Sequence, residues 1–385
     1  AELPTLLGGN REALTGRLEA KAQLFGTLDR PALEADGRLV GLKLEGRPMG
    51  ELSLRLAHAA DRTQVTAGLE AARGGRATLR GSLQGALGLG RLRAGFDPLA
   101  LPLKASLRVE KLELALVEGL VPDLRQVGGA LGAQVELRGT LGAPVAEGEA
   151  SLRGGAFTLL GYGSFRELDA DVQLAERAIA LSKLSVRSGK GLLALSGRAE
   201  RPRAGAPWLL DARLRLDAFP LRLNDRKVAT LTGATERWSG QIEGMKMAFD
   251  LRLAKLVAEL PELGGKDLQP LDPHPDIQIV TGEERPASDE GGSALDLKLH
   301  VQAPRNLWVE SSDVKIEAGA DLTLTMAEGE VAMSGAISTR SGRAEVLGRR
   351  FELARGNISW ADDPPGNPKL DVAATHENER EKIEV

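Results

Sequence analysis

Apolar and polar residues alternate along most of the chain, for example from Leu52 to Leu56 and from Leu322 to Met326. In an extended strand, successive side chains point to opposite faces, so this alternation predicts strands with one apolar and one polar face. The spacing of amphipathic helices, about 3.6 residues, is nearly absent. The pattern therefore predicts an all-β protein.

Turn signals separate the predicted strands. Glycine pairs such as Gly74-Gly75, Gly128-Gly129 and Gly154-Gly155 occur between the alternating runs. They recur at intervals of about 8 to 12 residues, a spacing typical of antiparallel strands joined by short turns. We expect a long meander that is predominantly antiparallel.

The first two thirds of the chain show an internal repeat. Its anchors are short motifs that recur at nearly constant offset. They are Gly26–Pro31 against Gly139–Pro144 and Gly50 against Gly163, both 113 residues apart, and Leu79–Gly81 against Leu195–Gly197, which are 116 residues apart.

Composition narrows the possible functions. Lys and Arg total 50 against 54 Asp and Glu, a formal net charge of −4 that gives no bulk attraction to nucleic acid. The absence of Cys excludes disulfides and thiolate metal sites. Only 3% of residues are aromatic, so the apolar faces are mostly aliphatic.

Proline, glycine and acidic residues concentrate between Pro261 and Ala294. Such a composition indicates a linker or mobile loop. We therefore predict a β-repeat region over residues 1–260, a linker over 261–294 and a C-terminal β domain over 295–385.

No catalytic group of residues is evident. The four His residues are far apart in sequence, and Ser312–Lys315 has the Ser-x-x-Lys spacing without the helix that this motif requires. Ser188–Gly191 lacks the remainder of a phosphate-binding loop. Asp169 and Asp171 share a strand face, as many solvated pairs do. We expect no enzyme, no cofactor and no metal site.

An apolar sheet face must be covered, and its aliphatic lining is chemically similar to a lipid tail. The simpler alternative is a dry sandwich or solenoid interior filled by its own side chains, which composition alone favours. A β-solenoid enzyme acting on polysaccharide would need clustered carboxylates and surface aromatic residues, which we do not find.

The C-terminal part resembles a known family. The segments Leu295–Val301, Ala303–Val309, Glu317–Met326, Val331–Ile337, Arg340–Ala344, Gly348–Leu353, Gly356–Trp360 and Asn367–Ala374 resemble, in this order, the C-terminal domain of the TamB family. The upstream repeats, which share the recurring motif Gly-Thr-Leu-x-x-Pro, are similar to the β-repeat region of the same proteins.

The resemblance implies a periplasmic protein of a bacterium with two membranes, anchored in the inner membrane by an N-terminal helix that this sequence lacks. It also implies a C-terminal end that meets an outer-membrane barrel of the BamA type, usually TamA. Members are similar to bridge-like lipid carriers with a taco-shaped β-groove, and the family is linked to outer-membrane protein insertion. Because the chain stops in an alternating run at Val385, we interpret it as a fragment.

We therefore expect an elongated, predominantly antiparallel sheet, curved into a taco-like groove whose concave aliphatic face guides phospholipid acyl chains between the membranes. The alternative is a chaperone or scaffold that pairs its strand edges with outer-membrane proteins.

The residues predicted to line the groove alternate with polar neighbours. They are Leu322, Leu324, Met326, Val331, Met333, Ile337, Phe351, Leu353, Ile358, Trp360, Leu370 and Val372. The strand parity is expected to slip at Gly342 or Gly348 through a bulge. A second set is predicted to hold lipid head groups at the rim: Arg340, Arg343, Arg349, Arg350 and Arg355.

Overall fold

A computed structural model describes residues 14–27, 30–44, 46–85, 97–118, 123–203, 205–261, 296–327, 330–346, 349–378 and 381–384. These residues form twenty β-strands and two short 3₁₀ segments, Pro98–Ala100 and Leu114–Val117. The strands are β1 (Leu14–Thr27), β2 (Arg30–Leu44), β3 (Arg47–Ala59), β4 (Arg62–Ala71), β5 (Arg76–Gln84), β6 (Leu103–Glu113), β7 (Leu124–Gly139), β8 (Pro144–Leu159), β9 (Gly163–Ala175), β10 (Ala178–Ser188), β11 (Gly191–Glu200), β12 (Trp208–Leu223), β13 (Arg226–Glu243), β14 (Lys246–Glu259), β15 (Asp296–Glu310), β16 (Val314–Ala327), β17 (Glu330–Val346), β18 (Arg349–Asp363), β19 (Lys369–Asn378) and β20 (Glu381–Glu384).

The chain divides into two compact units. Unit 1 comprises residues 1–206 and 210–226, and unit 2 comprises residues 207–209 and 227–385. This division precedes the sequence-predicted linker, of which residues 262–294 lie outside the described part of the chain.

In unit 1, β1 to β11 form one antiparallel ladder in which each strand pairs with the next. Directly paired residues have their side chains on the same face of the sheet, so the register traces each face from strand to strand. One row on the apolar face, in strand order, is Leu18, Leu39, Leu52, Leu69, Ala77, Val109, Ala133, Ala150, Val172, Leu181 and Gly197.

The opposite face of unit 1 is polar, and ion pairs cross it between neighbouring strands. Arg55 Nε lies 2.6 Å from Asp36 Oδ1, and Arg187 Nε lies 2.9 Å from Glu167 Oε2. Three of these side chains are largely exposed, and Arg187 is 40% exposed. Exposed pairs contribute at most about 1 kcal/mol each, so these pairs mark the solvated face rather than hold the fold together.

The internal repeat is visible as two matching hairpins, β1–β2 and β7–β8. Gly26 and Gly139 have φ angles of 85° and 99°, which favour glycine. In each turn the following threonine accepts a backbone N–H through Oγ1: Arg30 donates to Thr27 at 3.2 Å, and Ala143 donates to Thr140 at 3.2 Å. Both hairpins also carry a bulge at the same relative position, so this part of the predicted repeat is confirmed.

Of the other two predicted matches of the repeat, the structure supports the one between Gly81 and Gly197 and contradicts the one between Gly50 and Gly163. A Cβ added to Gly81 would lie 3.1 Å from Ala105 Cβ on the next strand, and one added to Gly197 would lie 2.8 Å from Ala212 Cβ. This anchor therefore matches β5 with β11. The proposed match of Gly50 with Gly163 is wrong, because Gly50 lies four residues into β3 whereas Gly163 begins β9. β8 extends two residues beyond the position equivalent to the end of β2, and its connection to β9 has three residues instead of two, which shifts the register there.

In unit 2, the described ladder runs from β13 to β20 and contains one change of direction. β14 and β15 are parallel, with Lys246 beside Asp296 and Glu259 beside Glu310, while the other described pairs are antiparallel. Parallel neighbours require a crossover connection instead of a tight turn. The residues between these strands, 262–295, lie outside the described part.

The predicted all-β, mainly antiparallel sheet is confirmed. Within each unit, the described pairings join a strand only to its neighbours in sequence, so each ladder stays open instead of closing into a ring. The apolar face of each ladder is the feature that bears on function.

Candidate functional site: the apolar sheet faces

The register of unit 2 brings the twelve predicted lining residues to one face of the sheet. Leu324 of β16 pairs with Met333 of β17. Ile337 pairs with Ile358, and Ile358 pairs with Leu370 of β19. These pairings connect the predicted lining from β16 to β19, whereas contact of these side chains with lipid stays a prediction.

Two bulges keep this face apolar. Arg340 is the extra residue of β17 opposite Glu317 and Ala318, and Ala354 is the extra residue of β18 opposite Ala373 and Ala374. Each bulge reverses the parity of its strand, which is why odd-numbered residues line the face at one end of β18 and even-numbered residues at the other. The expected slip is thus present, but at Arg340 instead of Gly342, with a second one at Ala354, while Gly348 lies outside the described residues.

The apolar faces remain accessible to solvent in both units. In unit 2, Leu370 and Val372 are 67% and 56% exposed. In unit 1, Leu24 and Leu54 are 72% and 46% exposed. Large aliphatic side chains on a dry sandwich interior would be mostly buried. These four side chains are therefore not covered by other side chains of the described residues, although Leu39 and Val109 on the same face of unit 1 are buried.

Aromatic residues extend the apolar faces beyond the predicted set. In unit 1, Phe157 and Phe165 stack with ring centroids 4.8 Å apart, and Phe165 lies 6.3 Å from Phe219. In unit 2, Trp238 and Phe249 meet edge to face at 6.4 Å. Bulges in β8 and β9 lie between the alternating runs and the pair Phe157 and Phe165. For this reason the alternation in the sequence did not identify these two residues as part of the apolar face.

Polar side chains also lie on the apolar face of unit 1, most notably the adjacent pair His58 and Thr63. His58 pairs with Leu33 on one side and Thr63 on the other, and it is almost completely buried. Its Nδ1 lies 2.9 Å from Thr63 Oγ1, which provides a hydrogen-bond partner for one ring nitrogen. The face is therefore aliphatic with a local polar position rather than uniformly apolar.

The five arginines of the predicted rim do not share a face. Arg343 and Arg350 pair with Glu352 and Glu345 on the polar side. Arg355 is also on that side, where its Nη2 lies 3.0 Å from Asp371 Oδ1.

The other two arginines lie elsewhere. Arg349 has the parity of Phe351 and so lies on the apolar side, at the end of the β17–β18 hairpin, while Arg340 occupies the bulge. Head-group binding by the set of five stays a prediction.

A histidine that the sequence did not single out bridges three strands on the polar face of unit 2. His300 Nδ1 lies 3.1 Å from Asp250 Oδ1, and Nε2 lies 2.9 Å from Asp321 Oδ1. Both ring nitrogens donate to carboxylates only when the ring is protonated. The hydrogen bond to Asp321, followed by that to Asp250, raises the pKa of His300 despite partial burial.

The candidate catalytic motifs have structural partners instead. Asp169 accepts the backbone N–H of Gly154 at 2.9 Å, and Asp171 is paired with Arg153. Lys315 Nζ lies 3.1 Å from Glu310 and 5.4 Å from the centre of the Trp308 ring. The charged groups of both motifs therefore have contacts within the fold, and the absence of catalysis stays a prediction.

Long strands with one apolar face, exposed at several positions, define the class as an all-β protein with an open apolar sheet face. Residues 182–385 match the family described as TamB C-terminal domain. Because the match covers more than half of the chain, the chain belongs to the TamB family.

This family is linked to outer-membrane assembly or lipid transport, and it is membrane-associated in the periplasm. Comparisons with curated proteins and with solved structures found no match. In the part of the chain that the structure describes, no helix is both long and apolar enough to cross a bilayer.

Proposed function

We propose that the apolar sheet faces bind and guide the acyl chains of phospholipids between the inner and outer membranes, with the head groups in solvent at the sheet margin. The observation that supports this proposal most directly is a face that is apolar from strand to strand yet exposed at Leu54, Leu370 and Val372. Transferring apolar area from water contributes about 25 cal/mol per Å², so such a face favours a lipid tail as its cover.

Three further statements belong to the same proposal. The chain acts in the periplasm as part of a protein anchored in the inner membrane by an N-terminal helix. Its C-terminal end acts with an outer-membrane barrel of the BamA type, TamA. Transfer proceeds without catalysis, because a passive apolar path needs no bond to be made or broken.

Photo-crosslinking tests the lipid path. The chain is incubated with vesicles that contain a phospholipid with a photoreactive acyl chain, and crosslinks are mapped by mass spectrometry. We expect crosslinks on the apolar face of β16 to β19, including Leu324 and Ile337. We expect none at Thr325, whose side chain lies on the opposite face of the sheet. Crosslinks spread equally over both faces would contradict the proposal.

Paired substitutions sharpen the same test. Leu324→Asp places a charge on the apolar face, where contact with an acyl chain costs several kcal/mol. We expect lipid crosslinking to fall at least about tenfold, since 1.4 kcal/mol already corresponds to a factor of ten. Thr325→Asp is the matched control on the neighbouring position of the opposite face and should retain binding.

A second candidate function is a chaperone or scaffold for outer-membrane proteins. Strand β1 supports it, because among the described residues it pairs only with β2 and all of its described side chains are exposed. Unfolded outer-membrane protein would then bind Leu324→Asp as well as the unaltered chain, whereas lipid would not. The two functions are therefore separable with the same variant.

A further inference from the structure

Each repeat of unit 1 contains a short hairpin whose neighbouring strands are longer. In the first repeat this hairpin is β4–β5, and in the second it is β10–β11, because β5 matches β11. Gly50 inside β3 pairs with the last residue of β4, Ala71, and Arg166 inside β9 pairs with Arg187 near the end of β10. The longer strands β3 and β9 therefore continue past the turn of the hairpin beside them.

In the second repeat, the chain segments on the two sides of the short hairpin meet beyond its turn. The backbone N–H of Asp225, after β12, donates to the carbonyl oxygen of Gly161, before β9, at 3.0 Å. Phe165 and Phe219 also approach each other, with ring centroids 6.3 Å apart. In a flat sheet, three strand spacings would separate β9 from β12, about 14 Å. The strands are therefore drawn together at this margin of the sheet.

In the first repeat, side chains join the corresponding segments. Arg47, the first residue of β3, forms an ion pair with Glu118, in the connection from β6 to β7, with Nη1 2.9 Å from Oε1. The same carboxylate accepts the backbone N–H groups of Gln126 and Val127 in β7, at 3.2 and 3.3 Å. In a flat sheet, four strand spacings would separate β3 from β7, about 19 Å. One carboxylate thus joins two strands that do not pair with each other.

The two closures differ in what would release them. The second repeat is closed by a backbone hydrogen bond and by aromatic side chains, whereas the first repeat depends on a single carboxylate. The side chain of Arg47 is 49% exposed and that of Glu118 is 17% exposed. Water and salt therefore reach the arginine side of this ion pair, which can break while β3 and β7 keep their strand pairing.

We propose that Glu118 and Arg47 form a conformational latch, which holds β3 and β7 together at this margin and lets them move apart when the ion pair breaks. The amides of Gln126 and Val127 fix the carboxylate on β7, and Arg47 attaches β3 to it. The latch determines how widely the sheet of the first repeat opens at this margin. It goes beyond the proposed function, because it does not depend on what the apolar face binds. Lipid crosslinking and the latch therefore fail independently.

Distances between two spin labels, measured by electron paramagnetic resonance, test the latch on the full chain. The chain contains no Cys, so labels attach only where cysteine is introduced. They are placed by Lys43→Cys in β2 and Arg125→Cys in β7, two exposed residues on either side of the hairpin β4–β5. Arg47→Ala releases β3 from the carboxylate, and we expect it to lengthen the mean distance by about one strand spacing, 5 Å.

Arg38→Ala is the matched control for that variant. It removes an exposed arginine that forms an ion pair with Glu51, but Glu51 lies on the neighbouring strand β3, which β2 already contacts through its backbone. The loss of this pair releases no strand. We therefore expect the distance between the two labels to stay unchanged.

Glu118→Ala separates the latch from its anchor on β7. It should lengthen the label distance as Arg47→Ala does, and it should also accelerate hydrogen exchange of the Gln126 and Val127 amides, which lose their acceptor. In Arg47→Ala the carboxylate remains, so these two amides should stay protected. Protection of β4 and β5 in the same experiment shows that each variant is folded.

Two results would overturn the proposal. The first is an unchanged label distance in folded Arg47→Ala and Glu118→Ala, because the two strands would then be held together without the ion pair. The second is the same lengthening in Arg38→Ala, because the loss of any ion pair on this sheet would then have that effect.

Discussion

Units 1 and 2 form the same kind of apolar face by different chain paths. In unit 1, every step of the ladder from β1 to β11 is antiparallel, whereas unit 2 contains the parallel step from β14 to β15. Across that step the apolar rows continue, with Met247 beside Leu297 and Phe249 beside Leu299. The apolar face is therefore continuous even where the strand direction changes. This is expected if the apolar surface is the functional part of the sheet.

The two units also differ in aromatic content, which makes them separately measurable. All four Trp residues lie in unit 2, at positions 208, 238, 308 and 360. Trp fluorescence therefore reports unit 2, while hydrogen exchange reports individual strands of either unit. The predictions below use this difference.

The largest expected effect comes from Gly335 of unit 2. Its φ is 109°, and an added Cβ would overlap the carbonyl oxygen of Asp321 on β16. Gly335→Ala should destabilise unit 2 by about 3 kcal/mol, through strain and a broken strand pairing. Urea unfolding followed by Trp fluorescence measures this.

Gly244→Ala is the matched control for that variant. Gly244 also has a positive φ, 59°, but nothing lies within 4 Å of an added Cβ. We expect a cost of about 1 kcal/mol from the backbone conformation alone. Equal losses in both variants would show that the contact with Asp321 is not what makes glycine necessary.

Truncation of Phe165 should weaken unit 1 without affecting unit 2. Phe165→Ala removes two ring contacts, and we expect a loss of about 2 kcal/mol because the side chain is only partly buried. Hydrogen exchange of β8 and β9 should accelerate while the Trp fluorescence midpoint stays constant. Phe25→Ala, on the exposed edge strand, should change either measurement by less than about 0.5 kcal/mol.

Unit 2 should be more stable in mild acid than in mild base because of His300. Its pKa in the folded chain is raised above the unfolded value of about 6.5 by the hydrogen bonds to Asp321 and Asp250. The stabilisation is therefore fully present below that unfolded value and is lost as the pH rises through the folded pKa.

The size of this effect is limited because both aspartates are largely exposed, so we expect at most about 1 kcal/mol. Urea unfolding at pH 5.5 and 8.5, followed by Trp fluorescence, measures it. The variant His300→Gln should show a smaller difference between the two pH values. A difference of the same size in both proteins would assign the pH dependence to other groups.

The smallest expected effect separates the two matching hairpins. Thr140→Ala removes a turn hydrogen bond between interior strands and should cost about 1 kcal/mol, while Thr27→Ala removes the same bond at the edge of the ladder. Because β1 pairs only with β2 among the described residues, we expect local fraying of its turn with little loss of global stability. Hydrogen exchange of the two turns compares them directly.

Much of this fold is visible in the sequence because one face of each strand is apolar. A strand period of two, with Leu322, Leu324 and Met326 on one side, determines both the element type and its face. The Gly-Thr-Leu-x-x-Pro turns of the two hairpins are equally readable, because the glycine and the threonine each have a local conformational role.

Features that depend on contacts between residues distant in sequence could not be predicted from the sequence. The parallel pairing of β14 and β15 joins residues on either side of a long connection, and no local pattern specifies direction. The bulges at Arg340 and Ala354 are set by the neighbouring strands, so the sequence predicted a parity change but misplaced it. The bridge from His300 to Asp250 and Asp321 needs three strands in register before it exists.

The parallel step between β14 and β15 also affects the order of folding. An antiparallel hairpin closes over a few residues, whereas pairing Lys246 with Asp296 closes a loop of 50 residues, at an additional entropic cost of roughly 2 kcal/mol. The strands β1 to β11 and the β13–β14 hairpin are therefore able to assemble by successive local closures. β15 must be recruited by a slower search, and until it arrives the edge of β14 is open to incorrect strands.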